Sequence, residues 1–115
     1  CMRFADWVDA CRRANKELEN LTAKVDELAK LAVLTNKEVV RTGDVETELE
    51  EKELDPFNDD VEEHEAQLLA ASKAFQQALA DSELANTKED EAREALKKAK
   101  NACFNLGTHF SDEWK

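Results

Sequence analysis

The chain has 115 residues, 42% of them hydrophobic and 37% charged, with two Gly, one Pro and no Tyr. That length suits one domain, and so few turn residues set a β-sandwich aside in favour of long helices with a narrow apolar seam. A net charge of −11, with no stripe of Lys and Arg to offset it, sets nucleic acid aside as a partner.

From Phe4 the apolar residues recur at alternating steps of three and four: Phe4, Trp7, Cys11, Ala14, Leu18, Leu21, Val25, Leu28, Ala32, Thr35 and Val39. This spacing predicts a long helix in coiled-coil-like packing over about residues 4–42. Val8, Leu31, Val33, Leu34 and Val40 widen the stripe, mostly towards its far end, so a third element is expected to pack there. Arg41-Thr42-Gly43 supplies a stop, with Gly43 as the residue just past the helix. A short helix over about residues 45–54 follows, capped by Asp44 and closed before Asp55-Pro56. Asp59 with Glu62 reads as a capping box that opens a second long helix, about residues 60–110. Its seam runs Val61, His64, Leu68, Ala71, Phe75, Ala78, Ser82, Ala85, Glu89, Ala92, Leu96, Ala99, Cys103, Leu106 and Phe110. One of its two alternating positions is nearly all Ala, small enough for helices to approach closely. Ser82 and Glu89 interrupt it and need either solvent or a partner.

Two long helices and one short link fold most simply as an antiparallel hairpin. The expected fold is therefore all-α: one helical domain built as a long coiled-coil-like hairpin, with a short third helix at its acidic tip. Spectrin-type repeats use three comparable helices, and the middle segment here is far shorter. The Trp-x-Gly turn of WXG-type hairpins is absent. The abrupt start at Cys1-Met2-Arg3 and the abrupt end at Trp114-Lys115 read as a piece of a longer protein.

Phe57, in the turn region, is equally far along the chain from Cys11 and Cys103. A reversal there brings the two cysteines level at the open end, so a disulfide is expected between them, and with it an oxidising compartment. Both fall on the same heptad letter, whereas antiparallel layers pair unlike letters. The alternative is two buried free thiols. Asn20-Leu21-Thr22 is a glycosylation sequon, which points the same way as a bridge. Cys1 is left to pair with another chain or to carry a lipid.

Asp44 to Glu65 holds twelve acidic residues and a single cation, Lys52, and so carries the whole net charge. Glu48, Glu50, Glu51, Asp55, Phe57, Asp59 and Asp60 are the candidate contacts for a protein partner with a basic surface. The pattern lacks the alternating ligands and central Gly of a calcium loop, so no metal is expected. His64 falls on the seam and is expected to be hydrogen-bonded; His109 reads as surface. Nothing sets a nucleophile beside a base, and no glycine-rich loop exists to hold a cofactor. No enzyme activity is expected. Phe4, Trp7, Phe104, Phe110 and Trp114 gather at the open end, where they cap the core or dock missing sequence or another subunit.

No apolar run reaches the length of a membrane span. The leading expectation is a non-catalytic stalk or interaction module, extracellular or on a cell surface, with an outward acidic tip. A cytoplasmic coiled-coil scaffold segment is the alternative, and an amphipathic carrier of an apolar ligand a third.

Overall fold

The structure, a computed structural model, describes residues 3–113, with side chains as far as Thr108. Two long helices account for nearly all of it: α1, Phe4–Glu51, and α2, Val61–Glu113, in a hairpin-like arrangement. No strand occurs among the described residues. The chain forms two compact units, a central one of Lys30–Thr87 and a terminal one of Cys1–Ala29 with Lys88–Lys115.

In the central unit, the buried and half-buried residues of α1 are Ala32, Thr35, Val39, Thr42, Gly43, Glu46 and Leu49. Those of α2 are His64, Leu68, Ala71, Ser72, Phe75, Ala78, Ser82 and Ala85. Ala32, Ala71, Ala78 and Ala85 are the buried apolar side chains, joined by Thr42 and Ser82. Three seam hydroxyls are satisfied. The Thr42 hydroxyl donates to the Glu38 carbonyl at 2.7 Å, Thr35 to Ala32 at 3.0 Å, and Ser82 to the Asn36 amide oxygen.

The expected stop at Gly43 and the short helix after it do not occur; α1 runs unbroken to Glu51. A glycine that ends a helix takes a positive φ, and no described residue does. The seam explains the continuation, because Thr42, Glu46 and Leu49 keep the same three-four spacing. An interior glycine costs about 1 kcal/mol relative to alanine, less than abandoning two turns of packing. A β-carbon on Gly43 would stand 3.1 Å from Phe75 Cε2, so the ring occupies the space the glycine leaves. The helix ends at Glu51, and Asp55-Pro56 keeps the following segment from resuming it, since the residue before proline is driven out of helical backbone.

The widened stripe does not meet a third element. Leu31, Val33, Leu34 and Val40 are all exposed.

The terminal unit repeats the pattern. Trp7, Cys11, Ala14, Leu18, Leu21 and Leu28 of α1 and Leu96, Ala99, Cys103 and Leu106 of α2 are half-buried, and Val25 and Ala92 are buried. Glu89 is covered in part and accepts from Arg93 at 2.9 Å. Trp7 donates its indole N–H to the Leu106 carbonyl at 3.1 Å and lies 6.0 Å from the Phe4 ring. Phe104 is exposed rather than part of this cap. The side chains of His109 and Phe110, and all of Cys1 and Trp114, lie outside the described residues.

Two outcomes test the seam. Ala78→Leu overfills a closely packed position and lowers stability by about 1–3 kcal/mol in urea melts, while Ala80→Leu on the exposed face changes little. Gly43→Ala stabilises less than the ~1 kcal/mol of its helix propensity, and gains more in a Phe75→Leu background. Additive effects in that double-mutant cycle would remove the ring as the reason for the glycine.

Candidate functional site: the acidic turn

Residues 52–60 join the helices, and aspartates build the turn. Asp55 Oδ1 accepts from the Phe57 backbone N–H at 3.0 Å, and Asp55 Oδ2 from the Asn58 side-chain amide. The Asp55 carbonyl accepts from the N–H groups of Asn58 and Asp59 at 3.2 and 2.8 Å. Asp59 answers with Oδ2, accepting from the Asp55 N–H at 2.9 Å. The two aspartates thus close the turn reciprocally.

The cap of α2 lies one residue later than the Asp59–Glu62 spacing suggests. Asp60 Oδ1 accepts from the Glu63 N–H at 3.0 Å, and the Asp60 carbonyl takes the His64 N–H at 3.1 Å. A carboxylate at that position satisfies an orphan N–H and faces the positive end of the helix dipole.

The seven candidate contacts therefore divide. Asp55, Asp59 and Asp60 are engaged by backbone N–H groups of the turn. Glu48, Glu50 and Glu51 are exposed on the last turn of α1 and make no hydrogen bond or ion pair among the described residues. Phe57, in the turn six residues beyond Glu51, stands 95% exposed. No basic residue lies in that last turn, so three glutamates sit at the negative end of the α1 dipole.

An open pocket of about 390 Å³ lies against the turn, lined by Lys52, Leu54, Asn58, Asp60, His64 and Gln67 among others. His64 is half-buried, but its Nδ1 is buried without the hydrogen bond its seam position suggests. Its backbone fixes the ring in the seam, and no donor of the turn reaches that nitrogen. Among the described residues, no group of three or more His, Cys, Asp or Glu is placed to hold a metal ion.

The remaining candidates lie elsewhere. Cys11 and Cys103 are both free and half-buried in the terminal unit, so the expected bridge is not formed. Their shared heptad letter is the physical reason: antiparallel helices set unlike letters in one layer, which keeps equal letters out of register. Asn20 is exposed in the body of α1, and Thr22 of its sequon donates to the Leu18 carbonyl at 2.8 Å. Asn36, the partner of Ser82, went unmarked in the sequence because it sits beside the seam, not on it. No described helix is long and apolar enough to cross a membrane.

No protein-family model matches the chain, and neither the curated proteins nor the solved structures contain a significant match to it.

The hydrogen bonds from Phe57 and Asn58 hold the Asp55 carboxyl below its ordinary value of 3.8. A lowered carboxyl stabilises above its unfolded pKa and loses that contribution as pH falls through the folded one. The turn should therefore persist down to pH 3.8 and loosen below it. An NMR titration of the Phe57 amide checks this, and Asp55→Ala should erase the transition.

Proposed function

We propose that the chain is a non-catalytic helical interaction module whose acidic turn contacts a basic surface of a protein partner. The observation that carries this reading is the set Glu48, Glu50 and Glu51, exposed without a cation at the negative end of α1. Within Lys30–Thr87 fifteen carboxylates face five cations, so the local field is strongly negative and steers cationic surfaces towards it. A partner's Lys or Arg docked there relieves repulsion among the glutamates and complements the helix dipole at once. Phe57 adds apolar area next to the charges, the combination that anchors an interface.

This arrangement separates stability from binding. Glu50→Lys with Glu51→Lys supplies the missing cations, so it stabilises the fold by roughly 0.3–1 kcal/mol per site at low salt. The same pair of changes abolishes binding of a basic probe. The experiment is an NMR titration with an oligolysine peptide at two salt concentrations. Shifts confined to residues 48–60, lost in the double variant and weakened by Phe57→Ala, support the reading. Shifts spread evenly over Asp81, Glu83 and Glu94 as well would mean diffuse ion pairing and overturn it.

A second reading, display outside the cell as a secreted or surface stalk, is favoured by the exposed Asn20 sequon. Free Cys11 and Cys103 remove its other support, leaving a scaffold role inside the cell on an equal footing. Intact mass of natively produced protein separates the two, since added sugar at Asn20 requires the secretory route.

A further inference from the structure

One exposed face of α1 in the central unit has a palindromic character. Val33 and Val40, 53% and 62% exposed, border a shallow groove of about 380 Å³ with Asn36 and Lys37. Asn36 is tethered by Ser82, so the floor of the groove is fixed to α2. Lys30 lies about one turn before Val33, and Asp44 about one turn beyond Val40; both are exposed. Along the helix the order is cation, valine, polar pair, valine, anion.

A two-fold axis near residues 36 and 37 maps this pattern onto itself. Two α1 helices laid antiparallel would set Val33 of one copy against Val40 of the other. The same operation brings Lys30 of each copy to Asp44 of the other, so both ion pairs form together. Lys37 falls near the axis in both copies, and its long stem can cover the valines while its ammonium turns outward to water. Orientation follows from charge. An antiparallel pairing sends the acid-rich turns to opposite ends, whereas a parallel one stacks them.

We propose that the Lys30–Asp44 face of α1 pairs two copies of this chain as an antiparallel, two-fold dimer. The pairing does not depend on the acidic turn or on what binds there.

Sedimentation equilibrium of the whole chain at moderate salt tests it. The expected mass rises with concentration from 13.0 kDa towards twice that value. Val33→Glu should weaken the dimer about tenfold or more, because it puts a carboxylate into the apolar contact. Lys30→Asp or Asp44→Lys alone should weaken it by about two- to tenfold, and the two together should restore it. All three positions are exposed, and circular dichroism confirms that each variant keeps its helices. A single-chain mass at every concentration overturns the proposal. So does a dimer indifferent to Val33→Glu, or one that the combined charge swap fails to rescue.

Discussion

Ala71, Ala78, Ala85, Ala92 and Ala99 recur at every seventh residue of α2, and the character of both units follows from that column. An alanine contributes almost no bulk, so α1 can approach until its own seam meets backbone. Close approach trades hydrophobic area for dispersion contacts and a tight fit. Among the described residues no large side chain is fully buried as a result. One larger residue fits because the opposite helix yields space, as Gly43 does for Phe75. A glycine in the body of a helix, costly when α1 is considered alone, is a complement to a ring on α2.

A narrow seam also leaves the flanks without cover. Two helices can hide only the positions that face each other, and Leu31, Val33, Leu34 and Val40 lie beyond that zone. Charge is distributed just as unevenly. The carboxylates of Asp55, Asp59 and Asp60 are consumed in shaping the turn, while those at the end of α1 oppose the helix dipole. The exposed apolar flank and the unrelieved glutamates have one thing in common: neither is satisfied within the described residues.

The three-four rhythm made both helices and nearly every buried position legible in the sequence. From His64 to Leu106 every expected seam position is buried or half-buried, and Ser72 is the one half-buried residue outside the expected set. The reading failed where a local signal was given more weight than the rhythm. Gly43 resembled a helix end, although Thr42, Glu46 and Leu49 already carried the seam across it. The cap of α2 slipped by one residue because Asp59 and Asp60 are adjacent and chemically equal; only the reach of the Asp55 N–H decides which of them caps. The acidic turn was visible as a charge cluster. Which of its carboxylates bond to the backbone depends on turn geometry, and composition does not encode that. The Asn36–Ser82 pair needs the register of one helix against the other, and the bridge between Cys11 and Cys103 failed on that register too.

The alanines and hydroxyl groups that are the most deeply buried part of the seam have a thermal consequence. The heat capacity gained on unfolding comes mainly from apolar surface newly exposed to water, and polar surface subtracts from it. Burying Ala71, Ala78, Ala85, Thr42 and Ser82 in place of leucines keeps that increment small for the length of chain involved. The stability curve is therefore expected to be shallow, with weak curvature on either side of its maximum. Such a chain loses little on cooling and approaches its melting point gradually, so its helices keep much the same hold on each other over a broad range of temperature.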